Sequence, residues 1–167
     1  MARRGEDRRG ALKAAKPARH YVLASMGGIP GMHTQVPLPR LDGVVWIVPR
    51  EWETERDDIL SRKGLGISFI DLMRSCDVLV TKAGYGGVTE SAVNGTRILY
   101  TERTNWCETP MLEAWMEEHC TAQRVERDVM EAGDYGADLA ALLDMPAPAP
   151  LKRSGIEEAV EVLQSIY

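Results

Sequence analysis

The chain has few aromatic residues and almost no chemistry-bearing clusters. Aromatics make up 6% of the 167 residues, with a single phenylalanine. Three cysteines, Cys76, Cys107 and Cys120, are odd in number and show no C-x-x-C spacing, so neither a disulfide framework nor a zinc site is expected. His20, His33 and His119 are scattered, make no ligand pattern and stand near no Ser or Cys motif, so no metal, no cofactor and no catalytic residue is assigned. No apolar run reaches the roughly 20 residues of a membrane helix. The Arg-rich opening has no apolar core of the kind a signal peptide carries, so no transmembrane segment and a cytoplasmic location are expected.

Charge is divided unevenly. The net charge is −5, yet residues 1–19 hold seven Lys/Arg against two acids and the remainder is acidic. Residues 1–19 therefore read as a basic N-terminal arm, solvated and poorly ordered. The acidic body argues against nucleic acid as a partner.

From residue 20 to 145 the pattern alternates between strands and helices. The runs His20–Ser25, Val44–Val48, Val78–Thr81 and Arg97–Thr101 are short and rich in apolar or β-branched residues, with Thr121–Val125 as a fifth candidate. Phe69, Leu72, Met73 and Cys76 recur at helical spacing behind a Ser68/Asp71 capping box, and Asn94-Gly95 ends the helix after the third strand. Thr109-Pro110 opens a helix with Leu112, Trp115, Met116 and His119 inward, and another lies around Asp138 to Leu143. Arg50 to Lys63 reads equally as short helix or loop. A Pro-rich linker, residues 146–153, precedes a C-terminal helix, 154–167, with a Ser154/Glu157 capping box and an apolar face expected to pack back on the sheet or dock on a partner. The fold class is thus α/β, a Rossmann-like parallel sheet with helices on both faces.

In such sheets ligands bind beyond the carboxyl ends of the strands, where both glycine-rich turns fall. After the third strand, Lys82-Ala-Gly84-Tyr85-Gly86-Gly87 leaves backbone N–H groups bare at a helix start, where phosphate is favoured. Glu90, about a turn further on, is placed either to accept hydrogen bonds from a ribose diol or to remain a solvated acid. Lys82 either neutralises a diphosphate or extends to water. Neither glycine turn has Walker A spacing, and Gly84-x-Gly86-x-x-Thr89 lacks the third glycine of a dinucleotide fingerprint, which disfavours a nicotinamide-dependent oxidoreductase.

The run from Phe69 to Tyr100, in the order helix, Asp-led strand, Gly-rich turn, acid, small-residue helix, Gly and strand, resembles the C-terminal, donor-binding domain of MurG-like N-acetylglucosaminyltransferases and related GT-B enzymes. The resemblance implies a single GT-B half-domain that binds a UDP-sugar donor. It puts the ribose-binding acid on Glu90, the phosphate loop on Gly84, Tyr85, Gly86 and Gly87 beside Lys82, and the base-reading segment on Phe69 and Ile70. The first-strand loop falls on Gly27 and Gly28, and the sugar-gripping pair on Glu108 and Thr109. Sugar transfer would then need an acceptor domain or partner subunit, and the chain alone would be inactive. A 2-epimerase-like half-domain and a stand-alone nucleotide-binding module stay open as alternatives. Of the tryptophans, Trp106 is the candidate to stack on a sugar, while Trp115 belongs to a helix core.

Overall fold

In the computed structural model, residues 2–27, 35–52, 55–103, 106–152 and 155–166 are described. Gly28, His33 and Ser154 lie outside the described residues, as does the Glu157 side chain.

Six strands form one sheet, all parallel: β1 (His20–Ala24), β2 (Val44–Val48), β3 (Ile59–Ser61), β4 (Val78–Lys82), β5 (Arg97–Thr101) and β6 (Ala122–Arg124). Their order across the sheet is β3-β2-β1-β4-β5-β6. This is the doubly wound arrangement, in which the winding reverses between β1 and β4 and opens a crevice at their carboxyl ends. β2 and β5 are buried at every residue, as expected where helices cover both faces and the strands carry uninterrupted apolar runs.

One face of the sheet carries α1 (Arg9–Ala15), α2 (Phe69–Ser75), α3 (Tyr85–Asn94) and α4 (Thr109–His119). Leu12, Leu72 and Met73 pack there against Tyr21, Leu23, Ile47 and Leu79, and Val88, Leu112 and Met116 continue the layer over Ile98 and Tyr100. The other face is covered by α5 (Arg127–Ala132) and α6 (Gly136–Asp144), whose Met130, Leu139 and Leu142 meet Val22, Trp46, Val80 and Leu99. Two buried polar groups on that face are satisfied by loop carbonyls: the Trp46 indole N–H donates to Pro39 O at 3.0 Å, and the Tyr135 hydroxyl to Pro37 O at 2.8 Å.

Local signals explain several boundaries. The Ser68 hydroxyl accepts from Asp71 N and caps α2, while Gly95 ends α3 at φ +70°, a left-handed conformation that favours glycine. The start of α4 differs from expectation: the residue flanking it is Glu108, in a helical conformation with no side-chain cap, and Thr109 is already inside the helix.

Three further expectations are corrected. Residues 2–19 are not a solvated arm: they include α1, bury Leu12 completely and fix Arg9 to Asp77 at 2.6 Å. The stretch from Arg50 contains a short 3-10 turn, Arg50–Trp52, and the edge strand β3, which hydrogen bonds beside β2. Of the two placements expected for the last helix, α7 (Ile156–Ile166), packing on the sheet is not the one observed: Ile156, Val160, Leu163 and Ile166 are all exposed.

Candidate functional site

A cavity of about 700 Å³ opens at the β1/β4 reversal. It is lined by Ser25, Met26 and Gly27 after β1, by Thr81 to Gly87 from the end of β4 onward, and by Phe69, Arg103 and Trp106. The two glycine turns meet there because β1 and β4 are hydrogen-bonded neighbours whose carboxyl ends finish on one rim; Ser25 N still donates to Val80 O at 2.9 Å.

The floor of the cavity is the start of α3. No side chain caps this helix and its first turn carries no acid, so the N–H groups of Tyr85, Gly86 and Gly87 precede the first intrahelical bond, Val88 N to Gly84 O. A Cβ at Gly86 would meet nothing within 4 Å, and one at Gly87 would make only ordinary contacts with Leu79 and Thr81. Packing therefore does not require these glycines; their effect is to leave the amides open to a close-approaching anion. Gly27 differs, because its φ of +59° itself favours glycine.

Positive charge gathers beside that floor. Lys82 ends β4 and lines both this cavity and a smaller one of about 240 Å³ that reaches Arg103 and Arg127. Among the described residues none of these three cations has an ion-pair partner; Arg127 donates to the Glu102 carbonyl at 3.2 Å. Burial lowers the Lys82 pKa below the ordinary lysine value, and Arg103 and Arg127 lower it further. Glu102 and Glu131 line the smaller cavity beside Arg103 and Arg127, whereas the larger cavity, with Lys82 and Arg103, has no acid in its lining, so an anion fits the larger one.

The remaining expected residues are distributed unevenly. Phe69 lines the cavity under the Arg62 guanidinium, 5.3 Å from its ring centroid. Tyr85 is half exposed at the boundary between this cavity and a third one over α3 and α4. Ile70 is partly buried against the α2 core, and its carbonyl faces Gly5 rather than the cavity. Glu90 does not line the cavity; its carboxylate, 12% exposed, accepts from Arg3 Nε at 2.6 Å. Glu108 accepts from the Trp106 indole N–H at 2.8 Å, and Thr109 lines a shallow neighbouring recess.

His20 begins β1, at the opposite end of the sheet from the glycine turns, and His119 ends α4 with its ring 4.9 Å from that of Trp115. Among the described residues no group of three or more His, Cys, Asp or Glu is arranged to hold a metal, and no helix is long and apolar enough to cross a membrane. Sequence reasoning missed Arg103 and Arg127. The signal was positional: both stand within three residues of a strand's carboxyl end, on the rim where this class of sheet binds ligands.

No protein-family model matches the chain, and no curated protein matches it. Solved structures do. The glycotransferase of kitacinnamycin superposes with a TM-score of 0.59 at 17% identity, over 88% of this chain and 40% of that one. Spinosyn forosaminyltransferase SpnP superposes with a TM-score of 0.58 at 16% identity, over 87% of this chain and 44% of that one. The chain thus has the Rossmann-like fold of a GT-B half-domain, and it spans less than half the length of either structure.

Proposed function

We propose that this chain binds a nucleotide-diphosphate sugar, of the UDP type, in the cavity between β1 and β4, as the donor-binding half of a glycosyltransferase. The observation that carries the reading is the uncapped, glycine-lined start of α3 in one cavity with Lys82 and Arg103, which make no ion pair among the described residues, and with no acid among that cavity's lining residues. The diphosphate would lie across the α3 amides with Lys82 beside it, and its leaving-group charge in the transfer step would be stabilised by the same donors. The ribose would turn toward Glu90 and the base toward Phe69 and Ile70, as in the MurG-like enzymes that the Phe69–Tyr100 run resembles.

The matched structures, named as a glycotransferase and a forosaminyltransferase, are each more than twice as long as the aligned domain. In this reading the acceptor and the general base come from a second domain or a partner subunit, and donor binding alone is the property of the residues described. Titration calorimetry with uridine diphosphate tests it. Binding on the order of 10–1000 μM is expected for these 167 residues tested by themselves, without the closure that a second domain or partner would add. Folded protein that gives neither heat nor thermal stabilisation with millimolar ligand would exclude a donor site here.

A further inference from the structure

Residues 2–8 lie along the groove between α2 and α3. Their backbone is zipped to both helices: Gly5 N donates to Asn94 Oδ1 at 2.8 Å, Asn94 Nδ2 donates to Arg3 O at 2.9 Å, and Glu6 N donates to Asp71 Oδ1 at 2.7 Å. Gly5 sits so close to α2 that a Cβ there would come within 2.3 Å of the Ile70 carbonyl oxygen. Arg3 closes the row on Glu90.

Two of these contacts fall on the groups that a nucleoside would use in the donor-binding reading, the Glu90 carboxylate and the backbone at Ile70. We propose that residues 2–6 form an intrinsic plug, which must lift out of the α2–α3 groove before a nucleoside reaches Glu90. The inference rests on the donor-binding reading above.

The attachments suit a reversible device. They are hydrogen bonds, to which Arg4 adds its own to the carbonyls of Val93, Leu151 and Lys152; the Arg3 side chain is 68% exposed, so water competes for its bond to Glu90, while Asn94 is buried beneath the segment. Ala2 buries a small apolar side chain at the start of the segment; the larger apolar anchor comes later, at Leu12 in α1, with Arg8 N held by Ser75 Oγ at 2.7 Å where the helix begins. Residues 2–6 can therefore swing away about Asp7 and Arg8 while α1 stays docked. The α3 amides and Lys82 are outside its reach, so the diphosphate end of the site stays open and only the nucleoside end is covered.

This asymmetry supplies the test, made on the full chain with uridine diphosphate and with inorganic pyrophosphate. Gly5→Ala cannot keep the segment against Ile70, and Arg3→Met removes its bond to Glu90 without touching the fold. Each is expected to tighten uridine diphosphate binding by about 3–10-fold, the reciprocal of the unplugged fraction, and to leave pyrophosphate binding unchanged. Saturating uridine diphosphate should also speed amide hydrogen exchange at Gly5 and Glu6 in the unsubstituted chain. Equal nucleotide affinity in all three proteins, with both amides still protected when ligand is bound, would overturn the plug and leave the donor site standing. Pyrophosphate binding with no uridine diphosphate preference in any of the three would overturn both the nucleoside reading and the plug built on it.

Discussion

The Arg103 guanidinium carbon lies 3.2 Å from the centroid of the Trp106 ring, and the same indole donates to Glu108 at 2.8 Å. The stack fixes the direction of a cation at the cavity mouth. If Arg103 acts on the diphosphate from that position, Trp106→Ala should weaken pyrophosphate binding by about 2–5-fold, the worth of an exposed cation–π contact of about 0.5–1 kcal/mol. A double-mutant cycle with Arg103→Met checks it: the Trp106→Ala effect should vanish once the guanidinium is gone, and simple additivity would make Trp106 independent of Arg103.

Lys82 gives a pH dependence whose sign follows from its surroundings. Burial, Arg103 and Arg127 lower its pKa in the empty protein, and an anionic ligand beside it acts the other way. Binding should then take up a proton between the depressed pKa and the ordinary lysine value of about 10.4, and affinity should fall as pH rises through the depressed value. Calorimetry of pyrophosphate at alkaline pH in buffers of different ionisation enthalpy reads that uptake. Lys82→Met should abolish it along with most of the affinity; uptake that persists in the variant would belong to another group.

The Leu12 side chain has no exposed surface and packs among Tyr21, Leu72 and Met73. Leu12→Ala should cost about 2–5 kcal/mol of unfolding free energy by urea titration, the range for a fully buried leucine. A change below about 0.5 kcal/mol, the range of an ordinary surface substitution, would return residues 1–19 to the solvated arm that their composition suggests.

Legibility in the sequence followed the physics of burial. β1, β2, β4 and β5 could be read because strands covered on both faces are continuous apolar runs, and the helix Phe69–Ser75 because its spacing and its Ser68 cap agree. β3 was hidden because Ile59, Leu60 and Ser61 sit between charged neighbours and are only half buried at the sheet edge. α1 was hidden for a related reason: one leucine carries its apolar anchoring, while Arg9 and the backbone of Arg8 supply tertiary bonds to Asp77 and Ser75 that no periodicity encodes. In the site, Gly27, Phe69, Lys82 and Gly84 to Gly87 converge because each follows or precedes an element end on the same rim. Arg103 joins them, and Arg127 lies in the adjoining cavity, because each follows a strand's carboxyl end, and the strand order brings those ends beside Lys82. The apolar side of α7 was visible as a pattern, but a pattern states that a face is apolar and not what covers it.

Glu90 is where the readings divide most sharply, because its carboxylate is paired with Arg3 among the described residues and has a different partner in the proposed complex. If it accepts the ribose hydroxyls when the segment lifts, Glu90→Gln keeps the shape but loses two charge-assisted bonds, costing uridine diphosphate roughly 1.5–3 kcal/mol, about ten-fold or more. The same change loosens Arg3, which works in the opposite direction, so the clean measurement is made in an Arg3→Met background where that compensation is already spent. There the loss for uridine diphosphate should be larger than in the unsubstituted chain, and inorganic pyrophosphate, which has no diol, should bind as before. A helix-start effect would lower both ligands together, by no more than about 0.3–1 kcal/mol. An acid that served only to hold the segment would leave uridine diphosphate unaffected in the Arg3→Met background and tighten it in the unsubstituted chain. That last pattern would keep the docked segment as a feature of the fold and remove the ribose from Glu90.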